Sequence, residues 1–187
     1  MEFSQLRSSY RILALAFSGW GLRWAGLIDN RQGEWWLIAQ ILLVLAHLVP
    51  AWPSLYDSKY IWATSLSIIG ACILLIGIFV IIKAFLSLGG SLSPLPEPKP
   101  GAWLVTEGSY KNCRHPLYKG LLISSFGCTI YLGSILHLAL LICLGILLIG
   151  KARTEEDRLQ RKHLDYGSYL DRTPAIIKGV PFLDWRI

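Results

Sequence analysis

Two long stretches without a single Asp, Glu, Lys or Arg constrain what this chain can fold into. The first runs from Tyr60 to Ile82 and holds 23 residues, and the second runs from Gly120 to Gly150 and holds 31. As α-helices they would extend about 34 Å and about 46 Å, against a hydrocarbon layer about 30 Å thick. Lipid offers no hydrogen-bond partners to the backbone, so such runs cross it as helices. The stretches therefore predict an all-α membrane protein.

The second stretch is too long for one crossing and too short for two complete ones. An earlier helix start at the step before Pro116 resolves the mismatch, because proline is favoured in a first helical turn. Two helices of 18 residues, 115–132 and 134–151, then fit the sequence, with Gly133 and Ser134 as the tight turn between them. We expect these helices to form a C-terminal helical hairpin.

Three further spans are predicted at about 12–28, 35–52 and 60–88. Tryptophans at both ends of the second of these spans are typical of membrane interfaces. The loop 89–114 contains the proline-rich run SLSPLPEPKPG, which favours extended backbone. The tail 152–187 is charged and begins as helix by propensity, and its basic residues predict that tail and loop are cytosolic. The expected fold is a polytopic transmembrane helical bundle of about five spans.

Composition agrees with one small membrane domain that covers residues 1–187. Hydrophobic residues make up 53% of the chain and charged residues 16%, and the formal net charge is +6. The basic residues gather beside the apolar runs, which indicates topology signals and anionic lipid headgroups rather than nucleic acid. The four histidines are scattered, so we expect no metal. Membrane lipids are the expected surroundings.

One crowded polar stretch, LVTEGSYKNCRHPLYKG, lies at 104–120, between the apolar runs. A hairpin would bring its end beside the start of the charged tail. The residues brought together would be Arg114, His115, Lys151, Glu155 and Glu156, with Tyr110 and Tyr118 as aromatic walls. Carboxylates bind ammonium groups, Arg or His binds carboxylates, and tyrosine faces attract cations. The cluster predicts a site for a zwitterion with an aromatic group; the alternative is a set of interface anchors and a solvated helix.

The motifs LVTEGSY and RHPLYKG, followed after the apolar run by EE-x-x-L, resemble the isoprenylcysteine carboxyl methyltransferase family. That family belongs with the phospholipid methyltransferases of similar build. The resemblance covers about residue 89 to the end of the chain. It implies an integral membrane enzyme that uses S-adenosylmethionine as its cofactor.

The resemblance also implies which residues form the site. The cofactor-binding positions of the family fall here on Trp103, Leu104, Val105, Tyr110, His115, Pro116, Leu117, Tyr118 and Glu155, and the charge argument above adds Arg114. A basic residue four positions before the first glutamate faces the substrate in the family; here it is Lys151, with Arg153 as a nearby substitute. A carboxylate acceptor needs no general base. For an amine or phenol acceptor, Glu156 or His115 could take the proton.

The tail departs from the family pattern. After EE-x-x-L the family has phenylalanine-glycine and two spaced tyrosines, whereas this chain has Leu164 and Asp165 followed by Tyr166 and Tyr169. We expect a local rearrangement of the tail there, and an irregular surface segment after Pro174.

The expected function is methyl transfer from S-adenosylmethionine to a lipid-borne acceptor, first an isoprenylcysteine-type carboxylate. The alternatives are a phospholipid amine N-methyltransferase, a nicotinamide-dependent sterol-type reductase on the same scaffold, and a membrane scaffold without catalysis. The expected partner is a lipid or prenylated substrate. The expected location is a multi-pass position in the cytoplasmic membrane of a prokaryote or the endoplasmic reticulum of a eukaryote.

Overall fold

The computed structural model describes residues 26–55 and 64–186, and most of the predicted span 12–28 lies outside these ranges. The described helices are α1 (Gly26–Asp29), α2 (Glu34–Ala46), α3 (Thr64–Leu88), α4 (Pro116–Leu132), α5 (Ile135–Lys162) and α6 (Tyr166–Arg172). Two short 3₁₀ turns, Gly89–Ser91 and Gly108–Tyr110, lie in the loop between α3 and α4. The described ranges form no β-strand, only one isolated bridge between Ser54 and Ser134. The all-α prediction is confirmed.

Two of the described helical segments, Thr64–Ser91 and Ile135–Lys162, are long and apolar enough to cross a membrane. Helix α2 has only 13 residues, about 20 Å of helix, and ends at Ala46 rather than continuing through the predicted span 35–52. The next residues unwind through i→i−3 bonds, such as that from Leu48 N to the Leu45 carbonyl. A helix tends to end before proline, and Pro50 follows. The prediction for this segment was therefore too long.

Helices α3 and α4 pack with their backbones in contact through small residues. Each helix carries a pair of buried glycines seven residues apart, Gly70 and Gly77 on α3, and Gly120 and Gly127 on α4. A Cβ atom added at Gly127 would lie 2.3 Å from Leu74 N, and one added at Gly70 would lie 2.3 Å from Tyr131 N. Small residues allow membrane helices to approach this closely. The packing brings the end of α3 beside the start of α4, where the polar stretch lies.

A tight turn joins α4 to α5. Gly133 adopts the left-handed conformation with φ 53°, and Ser134 caps α5 by accepting a hydrogen bond from His137 N. Helix α5 then runs for 28 residues to Lys162 without a break. The predicted helix 134–151 and the start of the charged tail are therefore one helix, so the glutamate pair rests on a rigid extension of an apolar segment.

The end of the tail returns to the helices instead of lying free on the surface. Arg114 N donates to the Pro174 carbonyl and His115 N to the Ala175 carbonyl, each at 2.9 Å. Ala175 and Ile176 are buried in a cluster whose other members are Tyr118, Leu144, Leu148 and Ala152. The expectation of a surface segment after Pro174 was wrong here, because this segment supplies part of the core that holds α4 against α5.

Candidate active site

A cavity of about 130 Å³ lies between the loop that follows α3, the end of α5, and α6. Its lining consists of Leu88, Ser91, Ser93, Leu95, Pro96, Pro98, Ala102, Trp103, Leu104, Val105, Tyr110, Arg114, Glu155, Leu159, His163, Tyr166 and Tyr169. Six of the predicted site residues belong to this set: Trp103, Leu104, Val105, Tyr110, Arg114 and Glu155. The other predicted residues lie outside the lining: His115, Pro116, Leu117, Tyr118, Lys151, Arg153 and Glu156.

The proline-rich segment forms one wall of the cavity and is held in a defined shape. The Ser93 hydroxyl donates to the Glu97 carbonyl at 2.9 Å, and Leu95 is buried. Glu97 also pairs with Arg158 of α5 at 3.1 Å. Lys162 of α5 donates to the Lys99 carbonyl at 2.5 Å. These contacts attach the segment to the charged end of α5, so the segment frames one side of the cavity.

Glu155 presents a reachable carboxylate to the cavity. Its side chain keeps 18% of its surface exposed. The Tyr118 hydroxyl donates to Oε1, and His115 Nδ1 lies 3.5 Å from Oε2. The rings of His115 and Tyr118 are stacked, with centroids 5.3 Å apart. Although neither ring lines the cavity, both residues orient the carboxylate that does.

Glu156 is buried in an ion-pair cluster on another side of α5. Its Oε1 accepts from Arg114 Nε at 2.7 Å and from His115 Nε2 at 2.9 Å, and its Oε2 accepts from Trp185 Nε1 at 2.6 Å. Arg114 uses Nη1 to donate to the carbonyls of Leu170 and Thr173, at 2.8 Å and 2.6 Å. A buried charge is stable only when close, well-placed hydrogen-bond partners such as these surround it. The cluster therefore fixes the Arg114–His115 step against both α5 and the tail.

Lys151 is a buried ammonium group one turn before Glu155. Only 2% of the residue is exposed, and its Nζ donates to Gln40 Oε1 at 2.7 Å and to the Pro94 carbonyl at 2.9 Å. The same nitrogen lies 5.5 Å from the centroid of the Tyr118 ring. Among the residues that the structure describes, no carboxylate forms an ion pair with Lys151. An ammonium group has three donors, and two of them are used by the Gln40 and Pro94 oxygens.

The remaining predicted residues have supporting positions. Arg153 is exposed, and its guanidinium lies 5.4 Å from the Trp185 ring. Pro116 is the first residue of α4, as expected from its missing N–H. Leu117 is partly buried and packs on the core cluster. None of these three side chains reaches the cavity lining.

Three buried tyrosines form the aromatic side of the cavity. The Tyr169 hydroxyl donates to the Tyr110 carbonyl at 2.6 Å, and the rings of Tyr166 and Tyr169 meet edge to face at 5.8 Å. Burial raises the pKa of Tyr110, Tyr166 and Tyr169 well above the ordinary phenol value. All three phenols are therefore neutral at physiological pH, and they offer ring faces instead of negative charge.

Sequence reasoning noted Tyr166 and Tyr169 only as a departure from a pattern, and it missed His163 and Leu159. The feature that indicates these residues is the break at the end of α5. His163 follows the last residue of α5, and α6 begins at Tyr166, so the break turns these side chains back toward the loop. Two tyrosines three residues apart then share one helix face.

A second depression of about 460 Å³ adjoins the cavity. Both spaces are lined by Leu88, Trp103, Leu104 and Val105, so the segment 103–105 forms a partition between them. Trp103 is 65% exposed at this partition. Within the described ranges, no group of three or more His, Cys, Asp or Glu side chains is placed to hold a metal ion.

Comparison with known proteins identifies one family. The family model described as phospholipid methyltransferase matches residues 66–165, which is 100 of the 187 residues. The matched region begins in α3 and ends just before α6, so it contains the Arg114–His115 step and both glutamates. No curated protein matches the chain.

Proposed function

The chain belongs to the phospholipid methyltransferase family, and on that premise we propose that it transfers the methyl group of S-adenosylmethionine to a lipid-borne acceptor, first an isoprenylcysteine-type carboxylate. The family is one of membrane methyltransferases, and two apolar helices of this chain agree with membrane association. The observation that carries the proposal is the cavity, which places the accessible carboxylate of Glu155 among three neutral tyrosines on the extension of an apolar helix.

The residues of the cavity fit the cofactor that the family implies. S-adenosylmethionine carries an ammonium group, a sulfonium cation and an adenine ring. Glu155 suits the ammonium group, because a carboxylate makes strong charge-assisted hydrogen bonds. The ring faces of Tyr110, Tyr166 and Tyr169 attract a sulfonium cation. Leu104 and Leu159 offer apolar surface to the adenine ring.

When bound, the cofactor supplies a methyl group that is already activated, so the protein needs no nucleophile of its own. The work of the chain is to align the acceptor and exclude water. Buried tyrosines and the proline-rich wall shield part of the cavity from water. When a carboxylate accepts a methyl group from a sulfonium, the positive charge of one and the negative charge of the other disappear together. A site of low polarity beside lipid favours that change.

Lys151 is the residue that we propose to meet the acceptor. It is buried with two uncharged partners, so an anionic group of the acceptor would complete its surroundings. Arg153 and Glu156 would position other residues instead of contacting the acceptor. Arg153 supports Trp185, and Glu156 holds Arg114 and His115 in place. A carboxylate acceptor then requires no proton transfer.

A phospholipid amine is the second candidate, and the description of the matching family favours it. Its phosphate would meet the same Lys151. An ammonium headgroup must lose a proton before methylation, so this acceptor needs a general base besides the Glu155 that is proposed to hold the cofactor. The two candidates therefore differ in whether a general base is needed.

The same proposal places the chain in the membrane as a multi-pass protein of about five spans, with α4 and α5 as a helical hairpin. The tight turn at Gly133 and the contact of Tyr118 with Glu155 support that arrangement. The cavity then lies on the cytoplasmic side, either of a prokaryotic cytoplasmic membrane or of the endoplasmic reticulum.

The test is methyl transfer by the purified full-length protein in detergent. Tritiated S-adenosylmethionine is offered with a farnesylated cysteine or with phosphatidylethanolamine. A base-labile methyl ester on the first supports the carboxylate, and a base-stable N-methyl group on the second supports the amine. Thermal stabilisation by S-adenosylmethionine but not by NADPH separates the proposal from a reductase, since a ligand stabilises only what it binds. Failure to bind S-adenosylmethionine would refute it.

A further inference from the structure

The segment 177–183 forms a closed loop at the end of the tail, referred to below as the C-terminal loop. Ile177 N donates to the Leu183 carbonyl at 3.1 Å, and Val180 N donates back to the Ile177 carbonyl at 3.3 Å. Gly179 N donates to Asp184 Oδ2 at 3.0 Å. The loop therefore has a fixed shape although it contains no regular helix or strand.

The inner side of this loop packs against the buried apolar cluster to which α5 contributes Leu144, Leu148 and Ala152. Ile177 and Leu183 pack against the buried cluster that includes Leu144 and Leu148. Both leucines belong to the uncharged run that ends at Gly150, before the charged extension of α5 begins. The loop therefore lies beside a helix segment that is apolar enough to cross a membrane.

The outer side of the loop is apolar and uncovered. Phe182 is 76% exposed and Val180 is 38% exposed, with Pro181 exposed between them. Phe182 also has a φ of 66°, a conformation that residues other than glycine rarely adopt. The fold thus holds an aromatic side chain outward at a backbone position that disfavours it. Lys178 is exposed at the start of the same loop.

We infer that the C-terminal loop is an interfacial anchor that inserts Val180, Pro181 and Phe182 into the boundary between lipid headgroups and acyl chains. The occupant of this surface is the lipid bilayer, because the loop is continuous with the apolar cluster beside a helix that is long and apolar enough to cross a membrane. Lys178 is placed to meet lipid phosphates, as basic residues do at membrane surfaces. Aromatic side chains are favoured at the same depth.

The anchor is joined directly to the ion-pair cluster behind the cavity. Trp185 follows the loop by two residues and donates to Glu156, and its ring lies 6.1 Å from that of His115. A loop seated in lipid would therefore hold the tail against the Arg114–His115 step. This role does not depend on the methyl acceptor or on catalysis.

Photocrosslinking to lipid tests the inference in the full-length protein. p-Benzoyl-phenylalanine replaces Phe182, and the protein is irradiated in phosphatidylcholine vesicles that contain tritiated lipid. Leu164 is the matched control, because it is a large apolar residue that is fully exposed but lies on the charged side, about 20 Å of helix rise beyond Gly150. We expect at least ten times more lipid adduct from position 182 than from position 164.

Equal lipid labelling at both positions would overturn the inference, as would crosslinks at 182 that join two copies of the chain instead of lipid. In a second preparation p-benzoyl-phenylalanine replaces Val180, so that the loop can still be tested if the replacement at 182 prevents folding. The measurement needs no methyl transfer, so its failure and the failure of the proposed function are distinguishable.

Discussion

Glu155 and Glu156 are neighbours on α5, yet their carboxylates enter different surroundings. Consecutive residues of an α-helix are rotated by about 100°. Glu155 lines the cavity and receives the Tyr118 hydroxyl, whereas Glu156 is buried against Arg114, His115 and Trp185. One carboxylate of the pair is therefore available to a ligand, and the other supports the structure around it.

Replacement of the accessible carboxylate is expected to weaken cofactor binding without unfolding the protein. Glu155→Gln removes one charge-assisted contact, worth about 1.5–3 kcal/mol, so the Kd for S-adenosylmethionine should rise about tenfold or more. Calorimetry on the purified protein measures the change. The matched control is Asp157→Asn, an exposed carboxylate on the same helix. Unchanged binding by Glu155→Gln, or an equal loss in the control, would remove Glu155 from the site.

Replacement of the buried carboxylate is expected to destabilise the fold. Glu156→Gln leaves the Arg114 guanidinium, whose side chain is fully buried, without its counterion. Loss of one partner of a buried pair costs about 3–5 kcal/mol. Thermal unfolding in detergent should show a clear fall for Glu156→Gln and little change for Glu155→Gln. A fall for Glu156→Gln no larger than that for Glu155→Gln would contradict this account.

The sequence predicted that the Arg-His-Pro step lies beside the twin glutamates, because a helical hairpin brings its two ends together. The bonds of Glu156 to Arg114 and His115 agree with that reasoning. The bond from Trp185 to Glu156 was not predictable in the same way. It depends on the path of the tail after Pro174, and no local pattern of residues sets that path.

The helix boundaries, too, were only partly predictable from the sequence. The tryptophans at 35, 36 and 52 indicated an interface at each end of a span, but α2 ends at Ala46 because two prolines follow. The glycine pairs of α3 and α4 were visible in the sequence at a spacing of seven. Glycine in an apolar run also signals a turn, so only the structure distinguishes close helix packing from a break.

The glycine contact between α3 and α4 predicts a sharp difference between two identical substitutions. Gly127→Ala would place a Cβ 2.3 Å from the Leu74 backbone nitrogen, so the helices must separate. Overpacking of this kind costs about 1–3 kcal/mol. Gly145→Ala on α5 is the control, because its nearest neighbour would be Leu122 Cδ2 at 3.8 Å. Thermal unfolding should fall for the first and stay or rise for the second, and equal effects would argue against the close packing.

Lys151 and Arg153 are expected to respond differently in kinetics. Lys151→Met should raise the KM for the lipid acceptor and leave the Kd for S-adenosylmethionine nearly unchanged, because the buried ammonium group is proposed to meet the acceptor anion. Arg153→Met should change the KM little, since Arg153 is exposed against Trp185. Steady-state assays with the acceptor varied separate the two. A larger KM effect from Arg153→Met would assign acceptor recognition to Arg153 instead.

The tail that covers the Arg114–His115 step also covers Cys113, which makes this thiol a reporter of tail docking. Cys113 is 4% exposed, and its Sγ donates to the carbonyls of Ala175 and Ile176, both at 3.3 Å. Burial raises the pKa of the Cys113 thiol, so the reactive thiolate is scarce at neutral pH. A hydrophilic maleimide at pH 7.5 should therefore leave Cys113 unmodified in the native protein and modify it after denaturation in SDS.

The positive control for that experiment is Lys111→Cys, which introduces an exposed thiol two residues away in the same loop. Peptide mass spectrometry after a short reaction should find the introduced thiol labelled and Cys113 protected at least about tenfold, since a protonated buried thiol reacts only when the segment opens. Truncation before Pro174 should abolish the protection, because it removes both carbonyl partners of Sγ. Rapid labelling of Cys113 in the full-length protein would mean that the tail spends much of its time away from the Arg114–His115 step, and the buried cluster around Glu156 could not then hold the candidate site together.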